Sequence, residues 1–467
     1  MLGILGIGAY IPRYRLSGKI AGQVWGGGGG GERALANYDE DSLTMAVEAS
    51  LNALEGQDPA RVGACLFAST TPPYAEKSNA TLLATVADLG TEILTADLGA
   101  SLRCGTTALR MALDLVKAGT ASHALVAAAE MRMVAPGTEL ETLLGDGAAA
   151  VLVGDGDPIA TFEGACTVSH EFTDIWRKQG DRYLQIGDTT FIRAYGLDKH
   201  LPEAVDGLLA KLGLKREDIA KVAYYAPDFR THAALARQLK FPESAMLKEP
   251  VIGKAGNTGS ASALLGLASA LEEARRGDRI LVVSYGNGAE ALCVQATERI
   301  EKVSWERGVS AQIALGRQLS HYGKFLLFRR HVETEVIKAF TSLPTMVREE
   351  RQNFRLYGQK CQECGAVSYP RRHLCWKCSS KNLTDYKLSR HGKVFTFAKD
   401  HLVPNPDPPT VMVSADLEGG GRFYAQLTDC DPAQVTFDMP VELCFRRIHE
   451  GEELVNYFWK FRPLASP

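Results

Sequence analysis

Two stretches of this chain repeat one another in kind. GTTALRMALDLVKAGTASHALVAAA (105–129) has a counterpart in GSASALLGLASALEEARRGDRILVVSYG (259–286). Each starts at a glycine with small polar residues, runs through an Ala/Leu-rich helix, passes a Gly turn and ends in an apolar strand-like run. A helix this rich in Ala and Gly, with few charges in its first half, is buried on all sides. Two such units predict two similar α/β halves packed around a pair of buried helices. The runs ACLFAST (64–70), EILTADLG (92–99), HALVAAAE (123–130), AAVLVGDG (149–156), KVAYYAPD (221–228) and RILVVSYG (279–286) supply strands. Helices such as 41–54, with Asp41 or Ser42 as N-cap, fall between them.

The last third of the chain follows a different rule. Residues 361–378 read C-x2-C-x10-C-x2-C, with Cys361, Cys364, Cys375 and Cys378. Two CxxC knuckles close a tetrahedral thiolate site of the kind zinc favours. With no open position, the metal would be structural and would fold a segment too small for its own core. Two disulfides or a redox CxxC are the competing readings, and the paired spacing speaks against them. After Leu383, five runs alternate polar and apolar residues at period two between Gly/Pro turns, which fits a small antiparallel barrel of the oligonucleotide/oligosaccharide-binding (OB) type. The expected organisation is a first half 1–165, a second half 166–302, a helical connector 303–345, a ribbon 346–382 and a barrel 383–467.

Composition removes several classes of function. The 467 residues carry a formal charge of −3 and are 45% hydrophobic, ordinary for a soluble chain of two or three domains. No charge excess points to bulk nucleic-acid binding. The opening MLGILGIGAYIPRYRL has no basic n-region and no long apolar run, so neither a signal peptide nor a membrane span is expected. Six of the ten cysteines follow no pattern, which suits a reducing cytoplasm. The six glycines 26–31 lack the flanks of a phosphate loop and read as a linker.

The segments GIGAYIPRYRL, TPPYAEKSNA, ADLGASLRCGTTAL (96–109), GDGAAAVLVGDG (145–156) and GNTGSASALLGLASAL (256–271) resemble the thiolase superfamily. The similarity is to 3-hydroxy-3-methylglutaryl-CoA synthase and ketoacyl-ACP synthase III. The C-terminal part is similar to the zinc-ribbon/OB domains that accompany thiolase-like proteins. The resemblance implies an α/β duplicated thiolase fold in αβαβα layers, a homodimer, and a coenzyme A thioester reaching a buried site with a carbonyl co-substrate.

The synthases' catalytic residues do not transfer intact. Their nucleophilic Cys aligns with Leu102, while Cys104 falls on a small-residue position about 200° further round a helix. Their His aligns with Tyr225, their glutamate with Thr70, and only the Asn of Gly-Asn-Thr persists, as Asn257. Leu102 cannot attack a thioester, so the expected chemistry is non-covalent aldol or retro-aldol reaction, with Asn257 as donor to the thioester oxygen and Tyr225 moving the hydroxyl proton. The alternatives are a condensing or thiolytic acyltransferase using Cys104 and a non-catalytic acyl-CoA-binding scaffold. His232 reads as a helix-surface residue, and Asp228 and Arg230 as unassigned. Phe395, Phe397, Phe423 and Tyr424 read as barrel core. Arg355, Lys360, Arg371, Arg372, Lys377 and Lys381 read as a solvated face or a seat for the CoA phosphates.

Overall fold

In the computed structural model, which describes residues 1–26, 31–248, 250–333, 342–451 and 454–464, the predicted runs join into a nine-stranded sheet. Its strands are β1 (Leu2–Tyr10), β2 (Val62–Ala68), β3 (Leu94–Leu98), β4 (His123–Glu130), β5 (Gly147–Asp155), β6 (Ala160–Ser169), β7 (Lys221–Tyr224), β8 (Arg279–Tyr285) and β9 (Gly288–Ala296). They run in the order β7-β8-β9-β6-β1-β5-β4-β2-β3. The two halves meet where β1 pairs with β6 at just Gly3–Thr161 and Ile4–Ala160.

Alternation along the strands reveals the layers. Ile280 and Val282 of β8 share a buried cluster with α3 (Cys104–Lys117), α6 (Ser262–Glu273) and Leu66, Val126 and Val151 of the other half. Leu281 and Val283 point the opposite way, into a second cluster with Leu201 and Leu208 of α4 (Asp198–Leu212). With side chains alternating at period two, each half is covered on both faces, and α3 and α6 form the layer between them. The first half is covered outside by α1 (Ser42–Ala53). Asp41 caps α1 in a capping box with Thr44, at 2.9 Å in each direction. The helices α2 (Asn79–Val86) and α5 (Phe229–Leu239) follow β2 and β7.

The chain divides into two units, residues 1–36 with 41–325 and residues 37–40 with 326–467. The expected connector 303–345 is therefore split at Phe325, and its residues 334–341 lie outside the described ones, as do Gly27–Gly30 of the glycine run. In the second unit, Tyr357–Cys361 pairs with Val367–Ser368 and with Leu383–Lys387. The ribbon sheet thus runs five residues past the expected boundary at 382. The strands β10 (His391–Asp400), β11 (Thr410–Leu417), β12 (Arg422–Leu427), β13 (Pro440–Gly451) and β14 (Leu454–Pro463) form a closed barrel in the order β10-β11-β12-β14-β13. The aromatic alternation holds only in part: Phe423 is fully buried, while Phe395 and Tyr424 are exposed. They stand on the outward phase of their strands, and Phe395 is covered by the Arg422 guanidinium 3.4 Å from its ring centre.

Candidate active site

Asn257 is fixed by its backbone first. Its N–H donates to Leu143 O at 2.8 Å and its carbonyl accepts from Gly145 N at 3.0 Å. A side chain at Gly145 would stand 1.7 Å from Ala255 O, so only glycine lets the two loops meet. The Asn257 amide is then oriented by its partners. Oδ1 accepts from Gly259 N at 2.9 Å and from Arg132 Nη2 at 2.8 Å, which leaves Nδ2 to donate to Tyr225 Oη at 3.0 Å. Because a guanidinium only donates, this amide cannot be turned round without loss of both bonds. The Tyr225 oxygen is thereby an acceptor toward Asn257, and its own proton is left for another oxygen. Burial pushes the Tyr225 hydroxyl above its ordinary pKa despite the Arg132 charge, so it stays protonated. Its ring stacks on Tyr285 with centroids 5.8 Å apart.

Leu102 and Cys104 part company at the mouth of α3. Leu102 lies in the turn before the helix and packs in the same cluster as Tyr225. Cys104, the first residue of α3, is 4% exposed and belongs to the cluster between the sheet halves, with Ala68, Ala128 and Ala261. Burial, with the Glu130 charge nearby, pushes its thiol up to about 12. Tyr225 and Asn257 are brought together by their hydrogen bond, while Cys104 packs in another cluster with its thiol beside Ser260 and Glu130. Asn257 also bonds the turn that opens its helix, through Gly259 N. Asp228 caps α5, accepting from Thr231 N at 2.8 Å. His232 is not a surface residue: it is half-buried and its ring lies 4.2 Å from that of Tyr224.

Three groups were not singled out by the sequence. Glu130, at the end of β4, accepts from Thr70 N at 2.8 Å, Thr70 Oγ1 at 3.0 Å and Thr71 Oγ1 at 2.8 Å. Thr70, on the synthase glutamate position, is therefore tied to a carboxylate on the neighbouring strand. Arg132 is 3% exposed and, among the described residues, donates to Asn257 alone. Asp174 lines a cavity of about 130 Å³ with Arg132, Leu102, Thr70, Arg177 and Asn287, and burial raises its carboxyl above the ordinary value. Arg132 and Asp174 sit outside any repeating pattern; the one available signal is an Arg two residues beyond an otherwise apolar central strand.

In the second unit, the Sγ atoms of Cys361 and Cys378 are 3.6 Å apart, as are those of Cys364 and Cys375, and all four lie within 4.8 Å of one another. Zn–S bonds of about 2.3 Å set the edges of a thiolate tetrahedron at about 3.8 Å, so the four sulfurs fit one ion. Of the basic residues around them, Arg371 is paired with Asp385 at 2.7 Å and Arg355 with Glu350 at 2.7 Å, which favours the solvated-face reading for these two.

A layered, duplicated α/β fold with an Asn-bearing loop at paired central helices defines a thiolase-type condensing enzyme, here joined to a ribbon and a barrel. The family models for 3-oxoacyl-[acyl-carrier-protein] synthase III match residues 96–167 and, for its C-terminal part, 209–296. Those for the ChsH2 rubredoxin-like zinc ribbon domain and C-terminal OB-fold domain match 348–384 and 385–446. Hydroxymethylglutaryl-CoA synthase of Methanopyrus kandleri is 33% identical over 344 residues, 71% of this chain and 98% of its own length. That of Methanocaldococcus jannaschii is 32% identical over 345 residues, 71% of this chain and 100% of its own. The structure of MvaS in complex with 3-hydroxy-3-methylglutaryl coenzyme A matches 72% of this chain and 94% of its own at 20% identity, with a TM-score of 0.62. An HMG-CoA synthase complexed with CoA matches 73% and 95% at 19% identity, TM-score 0.65. The chain belongs to the hydroxymethylglutaryl-CoA synthase family, with a zinc-ribbon and OB-fold extension.

Proposed function

We propose that this protein is a condensing enzyme that joins the α-carbon of a CoA thioester to the carbonyl of a second substrate without an acyl-cysteine. Of the two directions the sequence leaves open, aldol and retro-aldol, kinship with the synthases supports the bond-forming one. The observation that supports the non-covalent route is that Leu102 packs in one cluster with Tyr225, while the Cys104 thiol packs in another, with burial pushing it up to about 12. The thiolate is the nucleophile in cysteine chemistry, and Cys104 lacks the setting to form one.

In this reading, Asp174 takes the α-proton, the enolate carbon bonds to the carbonyl carbon, and the displaced C=O electron pair takes the Tyr225 proton. The oriented Asn257 amide holds Tyr225 in the donor state. The Cys361–Cys378 cluster would hold a structural zinc and take no part in the step. The family's homodimer is the expected assembly.

The test is turnover of acyl-CoA and carbonyl pairs, followed by product mass. Tyr225→Phe should lower kcat/KM about 10²- to 10⁴-fold, the usual worth of a proton donor, with CoA binding kept. Full activity would remove Tyr225 from the mechanism. The second reading, an acyltransferase using Cys104, is favoured by the family relationship. Intact-protein mass spectrometry after incubation with acetyl-CoA separates the two: an acyl adduct on Cys104 overturns the first.

A further inference from the structure

Arg132 carries more hydrogen-bond donors than its surroundings answer. Among the described residues, Nη2 donates to the Asn257 backbone and side-chain oxygens, both at 2.8 Å, and both are neutral. Nε and Nη1 have no partner, although the residue is 97% buried. A buried cation is tolerated when paired and is costly when alone. Glu130 lies close by, but both its oxygens take their hydrogen bonds from Thr70 and Thr71, and none comes from Arg132 among the described residues. Gly259 is part of this arrangement: at φ +57 its Cα faces the guanidinium, and a side chain there would stand 3.0 Å from Arg132 Nε.

The cavity that Arg132 lines contains a second guanidinium, Arg177, which donates to two backbone carbonyls, Thr70 O at 3.1 Å and Asp181 O at 3.3 Å. Its one carboxylate is Asp174. What stays open on the Arg132 side is a pair of donors, Nε and Nη1, with no acceptor among the described residues. The volume, about 130 Å³, exceeds the roughly 30 Å³ share of a liquid water several times over, so a group of several heavy atoms fits.

We infer that Arg132 and Arg177 form an anion subsite that takes a carboxylate of the substrate, carried by the acyl group of the thioester or by the carbonyl partner. Guanidinium and carboxylate match as donors and acceptors in a plane, and such pairs are among the stronger hydrogen bonds. The inference rests on the condensing reading above. It adds that a neutral acyl chain with a neutral aldehyde is not the preferred pair.

Calorimetric binding of succinyl-CoA against butyryl-CoA tests the acyl arm. Turnover of glyoxylate against acetaldehyde, with acetyl-CoA saturating, tests the carbonyl arm. Wild-type protein should favour the carboxylate probe about tenfold or more in one arm, and that arm names the source. The preference should fall to parity in Arg132→Gln and survive in part in Arg132→Lys. Parity in both arms of the wild type overturns the subsite, and needs no variant to be folded. Equal losses for charged and neutral probes in Arg132→Gln also overturn it, since Arg132 would then act on the reacting oxygen or through Asn257 alone. If neither acyl-CoA binds, the condensing reading fails and the subsite with it; if both bind alike and both carbonyl partners turn over alike, the subsite alone fails.

Discussion

Burial acts in opposite directions on the protons of two neighbouring rings. It raises the Tyr225 hydroxyl and lowers the His232 imidazole to about 4, because in each case the charged form is the one disfavoured. His232 lies flat on Tyr224, whose hydroxyl donates to the His232 carbonyl at 2.9 Å. With the folded pKa near 4 and the unfolded one near 6.5, the unfolded chain binds the extra proton between those values. Folding stability is therefore full above pH 6.5 and lost as pH falls toward 4. His232→Phe, which keeps the stack, should flatten that part of the stability–pH curve measured by denaturant unfolding; an unchanged slope would put the titration elsewhere. At this scale the joining of Tyr225 and Asn257 in one site was legible, because both sit in ordered motifs. Arg132 was not, because its meaning comes from a loop 125 residues away. His232 was misread because a helix N-terminus sits on the surface by default, and the stacked Tyr224 ring that helps to cover it leaves no mark in the sequence.

Helices and strands were legible where one physical period governs them. The Asp97 position shows how a motif residue serves an element far from its own strand. At the end of β3, its Oδ2 accepts from Asn79 N at 2.8 Å and its Oδ1 from Ala80 N at 2.7 Å, so it closes the start of α2 together with Ser78. Asp97→Ala should cost about 1–3 kcal/mol, between a lost cap and a stranded buried donor, read as a lower denaturant midpoint with an unchanged slope. The ribbon was legible for a different reason, since its ligand spacing is written in the chain while its small sheet is not. Its third strand, Leu383–Lys387, has no period-two pattern and falls just past the boundary expected at 382. Cys361→Ser should abolish bound zinc by elemental analysis and expose residues 348–384 to proteolysis; retained metal and protection would refute a four-thiolate site. The barrel's period-two pattern located all five strands but not their faces. Phe395 and Tyr424 show why: an aromatic residue on the outward phase looks the same in sequence as one on the inward phase.

The second unit draws four residues, Asn37–Glu40, from near the start of the chain, and no local pattern announces this. They bring charge into a place with almost no water. Lys460 Nζ meets Asp39 Oδ2 at 2.8 Å, Arg446 Nη2 meets Asp429 Oδ2 at 2.6 Å, and Arg446 also pairs with Glu40. Asn37 Nδ2 donates to Asp429 Oδ1 at 2.8 Å, and the Asp39 carbonyl accepts from Arg447 N at 2.9 Å. Every one of these charged side chains is at most 4% exposed. Burial alone would raise the Asp39 carboxyl, but Lys460 and Arg446 override it and hold the group below its ordinary 3.8. A depressed carboxylate lends stability above the unfolded value, and that stability is lost as pH falls through the folded one. The second unit should therefore weaken in acid below about pH 4. Asp39→Asn should remove this acid limb and destabilise the unit by roughly 3–5 kcal/mol at neutral pH, the usual cost of stranding one partner of a buried pair. A double change of Asp39→Leu with Lys460→Met, which buries no lone charge, should recover most of that loss. Equal stability of the single and double variants would mean that the four-residue insertion holds the barrel through its backbone contacts and not through its charges.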